Sequence, residues 1–245
     1  MLAAAALGAY ADVVVGNGKV ETERRNVPAF SSISVGGSGT LRVHRGTRKV
    51  EITSDSNILP YVTTTVEGGE LKIGFKPFTS IMKSTKQEFD ITLPDFTGLR
   101  LSGSGDAYID AFSGDTFSAT VSGSGGVKAE LDYTTVALNA SGSGGFDANV
   151  KADKFDLRCT GSGSAFLRGS SSRAAITISG SADVGGRDFA ANDARVVISG
   201  SGNVDIRTAK SLDASLSGSG RIRYWGNPSI SQRVSGSGSI SKAGD

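Results

Sequence analysis

Chemistry needs side chains that donate, accept or bind, and in this chain the scarce ones are quickly named. There is one histidine, His44, and one cysteine, Cys159. A lone thiol allows neither an intramolecular disulfide nor a cysteine-based zinc site, and a lone imidazole removes His-rich metal sites and most nucleophile–histidine pairs. Carboxylates gather at Asp106, Asp110 and Asp115 and again at Asp147, Asp153 and Asp156. In β-helical polysaccharide enzymes such a grouping supplies an acid and a base. Hydroxyls are the most regular feature: Ser102, Ser104, Ser122, Ser124, Ser141, Ser143, Ser162, Ser179, Ser181, Ser199, Ser201, Ser217 and Ser219 recur through the second half of the chain. Aligned in rows, they could engage a glycan, peptidoglycan, an envelope protein or another copy of the chain by hydrogen bonding.

Each candidate has a plainer reading. Carboxylates belong on the solvated face of any strand. Serine is a small residue tolerated beside glycine at a crowded corner, with hydroxyls bonding between neighbouring segments. His44 falls on an outward position with no partner visible in the sequence, and Cys159 falls where a buried apolar residue belongs. Tyr224 and Trp225 stand in a Gly/Pro turn and fit a terminal packing plug. Calcium β-rolls need Gly-Gly-x-Gly-x-Asp at a nine-residue period, which is absent, and the glycine-rich tetrapeptides lack the lysine and following helix of a phosphate loop. Basic and acidic residues number 26 and 24, whereas a nucleic-acid protein concentrates cations on one face. No cofactor, metal or nucleic acid is therefore expected, and no catalytic residue.

The elements that position the hydroxyls follow from the repeat that contains them. The tetrapeptide Ser-Gly-Ser-Gly, or a close variant, begins at Ser102, Ser122, Ser141, Thr160, Ser179, Ser199, Ser217 and Ser235, in steps of 18 to 20 residues. A flexible linker has a similar composition but no flanking pattern. Here the residue before each signature is Leu101, Val121, Ala140, Cys159, Ile178, Ile198, Leu216 or Val234. Six residues on stand Ala107, Val127, Phe146, Ala165, Val184, Val204, Ile222 and Ile240. Alternation at period two places one set of residues on one face of an extended strand. In that phase the serines point outward and the glycines inward, where an absent side chain permits close packing. Coils of about 19 residues at about 3.3 Å each give a contour near 63 Å, enough for three short strands and their corners. One coil cannot bury its own apolar stripe, so the pattern predicts an all-β, right-handed parallel β-helix or solenoid. A sandwich or barrel is the competing architecture.

Residues 99–245 carry the regular coils. Residues 30–98 hold a diverged first copy, Gly36-Gly37-Ser38-Gly39, then an insertion with a hairpin at Gly68-Gly69 joining Val62–Val66 to Leu71–Ile73. This insertion is expected to form longer coils or a cap, because an open solenoid end exposes unpaired backbone groups. Residues 12–29 form a lead-in or cap. Residues 1–11 read as a truncated signal peptide, an apolar run ending in Ala9-Tyr10-Ala11 without a basic n-region, and it is too short to span a bilayer. Residues 30–245 are expected to act as one domain.

The run Phe30-Ser-Ser-Ile33-Ser-Val35-Gly-Gly-Ser-Gly39, then Val50-Glu-Ile52-Thr-Ser-Asp55-Ser-Asn57, Gly69-Glu-Leu71-Lys-Ile73, Leu93-Pro94 and Tyr224-Trp-Gly226-Asn-Pro228, in that order, resembles the bacterial head GIN domain family, a domain of unknown function labelled putative auto-transporter adhesin. The resemblance spans about residues 30–245. It implies an exported β-helical domain of cell-envelope or surface type and supplies no catalytic residues. A self-secreting autotransporter carries a membrane barrel of strands about 9 to 11 residues long, and the coils leave no room for one. Periplasmic or separately exported residence is therefore expected, with no transmembrane segment. Function is expected to be non-catalytic and adhesin-like, through display of a rigid repeated surface. A β-helical carbohydrate-active enzyme and a periplasmic envelope-stress or regulatory protein stand as alternatives, and a homo-oligomer is compatible with all three.

Overall fold

A computed structural model describes residues 12–245, and the signal-like segment at 1–11 lies outside them. From Gly98 onward every coil pairs in parallel with the next. Around the signature the register runs residue for residue as the apolar pattern requires, and shifts are confined to the stretches beyond it. Val35, Leu101, Val121, Ala140, Cys159, Ile178, Ile198, Leu216 and Val234 form a single column. Leu41, Ala107, Val127, Phe146, Ala165, Val184, Val204, Ile222 and Ile240 form another. The result is a β-solenoid of about 8 turns with about 19 residues per coil. Column members are buried against the coils on either side until the last, where Val234 is 46% exposed.

At the signature the structure departs from strict alternation. The first glycine of each copy does not point inward: Gly103, Gly123, Gly142, Gly161, Gly180, Gly200 and Gly218 are exposed or half-buried, with φ between 107° and 133°. They turn the corner in a conformation that a side chain disfavours. The carbonyl of each accepts a bond from the next coil, as in Ser124 N–H to Gly103 O at 2.9 Å and Ser181 N–H to Gly161 O at 2.8 Å. Only the second position, Gly105, Gly125, Gly144, Gly163, Ala182, Gly202 and Gly220, is buried as expected. A second shift of phase falls at the opposite corner, where Thr134 and Thr135 both face outward between buried Tyr133 and Val136.

The insertion is a cap, and the coils do not stack in chain order. Strands Ser32–Gly37 and Thr40–Arg45 form a coil that lies between two others. On one side are Gly98–Gly103 and the start of Asp106–Gly123, and on the other are Glu70–Phe75 and Gln87–Leu93. Lys49–Asp55 pairs antiparallel with both Gln87–Leu93 and Val20–Arg24. The hairpin expected at Gly68-Gly69 is present, joining Val62–Glu67 to Glu70–Phe75. Antiparallel strands close the end that parallel coils would leave open, so Ile52, Ile58, Leu59 and Phe89 are buried there.

Asp55 ties this cap together. Its carboxylate accepts bonds from Gly18 N–H at 2.7 Å, Thr85 N–H at 2.7 Å and the Thr85 hydroxyl at 2.9 Å. These donors, Thr85 N–H first, hold it below the usual carboxylate range.

Candidate functional site

The thirteen signature serines all face solvent. Among the described residues only Ser102 uses its hydroxyl within the chain, donating to the Val35 carbonyl at 3.3 Å. A hydroxyl bond between coils is thus made at Ser102, and elsewhere the corner is held by backbone bonds between coils, so the other twelve hydroxyls have no partner among the described residues.

The other candidates separate. Cys159 is 2% exposed, and burial pushes its thiol up to about 11, which leaves no nucleophile at neutral pH. His44 faces outward as expected and is half-buried, yet it has partners that the sequence did not reveal: Nδ1 lies 2.8 Å from Asp110 Oδ2 and Nε2 3.4 Å from Asp90 Oδ2. The register of the coils brings His44 beside Asp110 across 66 residues of chain. The acidic groups are mostly taken up one by one. Asp106 accepts from Gly126 N–H at 2.8 Å, Asp147 pairs with Arg168, and Asp156 pairs with Arg158 at 3.1 Å. Asp153 meets the Ser172 hydroxyl at 3.5 Å, while Asp115 stands exposed. Among the described residues no three His, Cys, Asp or Glu groups converge where a metal ion could be held. Trp225 is buried, with the guanidiniums of Arg187 and Arg223 at 5.6 and 5.7 Å from its ring.

The geometry adds a site that the serine pattern did not indicate. On the lateral face that follows the serine corner, one outward column runs Tyr108, Lys128, Asp147, Phe166, Gly185, Asp205. Two aromatic side chains stand out of it, Tyr108 at 41% exposure and Phe166 at 57%. Between them is a groove of about 330 Å³, floored by Gly126 and Gly145 and crossed by Lys128 and Asp147. Two further depressions adjoin it, one alongside on the same coils and one further along the axis. One of about 700 Å³ lies beside Tyr108, bordered by Asp110, Glu130, Asn149 and Arg168. The other, of about 310 Å³, lies beyond Phe166, bordered by Gly185, Asn203, Asp205 and Arg223.

Neighbouring coils hold these side chains in place. The Arg42 guanidinium lies 5.2 Å from the centre of the Tyr108 ring and bonds Glu88 at 2.7 Å. Hydrogen bonds from Lys86 and Arg42 hold Glu88 below its ordinary range. Phe166 lies over Gly185, where a Cβ would come within 3.2 Å of its ring. Arg223 forks onto Asp205 with contacts of 2.8 and 2.5 Å, and the Asn203 amide donates to Asp183 at 2.7 Å. Exposed ion pairs contribute little stability, but in a fork they fix where donors point. Tyr108 and Phe166 share an outward position otherwise occupied by charged, polar or glycine residues, and that anomaly was their only mark in the sequence.

These features define a parallel β-solenoid with a lateral groove and a hydroxyl-lined corner. The chain belongs to the family described as putative auto-transporter adhesin, head GIN domain, which matches residues 29–228. Solved structures agree closely. A putative lipid binding protein from Parabacteroides distasonis superposes with a TM-score of 0.90 at 28% identity, covering 95% of this chain and 100% of that one. A putative adhesin from Parabacteroides merdae gives 0.91 at 26% identity with the same coverage. A putative adhesin from Bacteroides fragilis shares the fold, with a TM-score of 0.72 at 21% identity, covering 94% of this chain and 99% of that one. No curated protein matches the chain. No helix among the described residues is long and apolar enough to cross a membrane.

Proposed function

We propose that this protein is a non-catalytic, exported adhesin-like binding protein of the cell envelope or surface, acting as one structural unit over residues 30–245. The carrying observation is the serine corner: twelve hydroxyls without a partner among the described residues, held in register by backbone bonds between coils. A surface whose spacing is set by a hydrogen-bonded ladder binds with little loss of conformational entropy, which favours recognition of an extended partner. The family description and the Parabacteroides adhesin of similar fold support this reading.

The test is fractionation of the native protein with amino-terminal sequencing, followed by capture of envelope fragments on the purified protein. A mature start near Asp12, with retention of envelope material, is expected. An intact chain confined to the cytosol overturns export. Turnover of a polysaccharide panel that disappears on substituting Asp106, Asp110 or Asp147 replaces the binding reading with a carbohydrate-active enzyme.

A further inference from the structure

We infer that the lateral groove between Tyr108 and Phe166 is a binding site for an uncharged polysaccharide chain lying along the solenoid axis. This inference rests on the binding reading above and gives the partner a chemical class. The pyranose ring has one face of C–H groups and a rim of hydroxyls. A site for a chain of such rings therefore needs aromatic faces separated by planar donors and acceptors, on a floor shallow enough to admit the sugar.

All three are present. Tyr108 and Phe166 sit three coils apart in one column, roughly 14 Å at about 4.8 Å per coil, a span that takes an oligosaccharide and exceeds a single sugar. The floor between them is Gly126 and Gly145. At Gly145 an added Cβ would lie 1.8 Å from the Ser164 carbonyl oxygen, so local packing keeps this part of the floor bare. Around it stand Lys128, Asn149, the Asp147–Arg168 pair and the Asp205–Arg223 fork.

Charge decides among partners. Asp147 and Asp205 are each matched by a guanidinium on a neighbouring coil, Arg168 and Arg223, and Lys128 stands in the same groove as Asp106 and Asp147. A groove so balanced offers no field to attract a polyanion or an anionic membrane. It still offers directed hydrogen bonds to hydroxyls. A lipid tail would instead need an enclosed apolar cavity, whereas this groove lies open along the face. Ser164 borders the same groove.

The test is affinity electrophoresis of the whole protein in gels cast with dextran, mannan, xylan or soluble β-glucan, with alginate as a polyanion and phosphatidylglycerol vesicles as a lipid surface. At least one neutral polysaccharide is expected to retard the protein, with little dependence on salt. Phe166→Ala and Tyr108→Ala should each weaken retardation about tenfold at unchanged melting temperature, and Phe166→Tyr should retain it. Retardation by no neutral polysaccharide, retardation unaffected by both alanine variants, or binding to alginate or vesicles alone overturns the site. The same variants are carried through envelope capture. Wild-type capture that survives in both variants overturns the groove and leaves the adhesin reading standing, and absence of wild-type capture overturns both.

Discussion

Gly125 lies so close to Gly105 that a Cβ at Gly125 would stand 2.0 Å from the Gly105 carbonyl oxygen. The same contact recurs at Gly144 against Gly125 at 2.2 Å and at Gly163 against Gly144 at 1.9 Å. The limiting neighbour is backbone in each case. Relief therefore requires a coil to move, and moving one coil disturbs the ladder on both of its sides.

Gly163→Ala is accordingly expected to destabilise by about 1–3 kcal/mol, the range for an overpacked interior. Ala182→Gly, in the same column, should cost no more than about 1 kcal/mol, mainly through backbone entropy. Paired thermal melts check this, and an unchanged midpoint for Gly163→Ala would remove the steric account of the repeat.

Position along a column should matter as much as residue type. Ile198 is 1% exposed while Val234, in the same column, is 46% exposed. Ile198→Ala is expected to cost about 2–5 kcal/mol as a core truncation. Val234→Ala should stay within about 1 kcal/mol, because it leaves no enclosed cavity. Equal losses in denaturant melts would contradict the stacking order.

The sequence revealed the columns because parity and spacing are one-dimensional properties. Val121, Cys159 and Ile198 line up in space for the same reason that they line up on the page. What it concealed depends on dihedral angles and on stacking order. Gly123 shares the parity of buried Val121, yet at φ of 121° it turns outward. The coil of Ile33 and Leu41 was legible as a coil. Its place between Leu71 and Phe89 on one side and Leu99 and Ala107 on the other was not, because no periodicity says that the chain goes on to build the neighbour on one face and then returns to the other. The His44–Asp110 pair is a product of that return. Tyr108 and Phe166 were visible only as exceptions, since an outward aromatic gains meaning from the glycine floor beside it.

Cys159 is expected to resist modification in the folded protein. Burial holds the thiol near 11, so at neutral pH it is neither ionised nor accessible. A chromogenic disulfide reagent should label one thiol per chain in denaturant and essentially none in buffer. Prompt labelling in buffer would place Cys159 at the surface and disprove the column.

Tyr133 makes the alkaline counterpart. Its hydroxyl donates to the Phe96 carbonyl, and burial raises its ionisation to about 12 from an ordinary 10.0. Because the folded state disfavours the phenolate, the contribution is intact below the unfolded value and is lost as pH rises from about 10 to about 12. Tyr133→Phe strands a buried acceptor and should cost about 1–3 kcal/mol at neutral pH, and the variant should show a weaker stability decline across that alkaline window. Identical alkaline melting curves for the two proteins would show that Tyr133 is not the group responsible.

Asp55 reverses the sign at the acid end. Its folded value is depressed by the Thr85 and Gly18 donors, so the stabilisation is present above the unfolded carboxylate range and disappears as pH falls through the folded value. The effect should be local, because the bonds join Lys49–Asp55 to the lead-in at Gly18 and to Thr85 and touch none of the regular coils. Amide exchange at Gly18 and Thr85 should therefore accelerate on acidification before exchange at Val121 or Ile198 does, and Asp55→Asn should produce that acceleration already at neutral pH. Simultaneous loss of protection throughout the chain would mean that cap and coils unfold as one, and Asp55 would then be an ordinary member of a single cooperative structure.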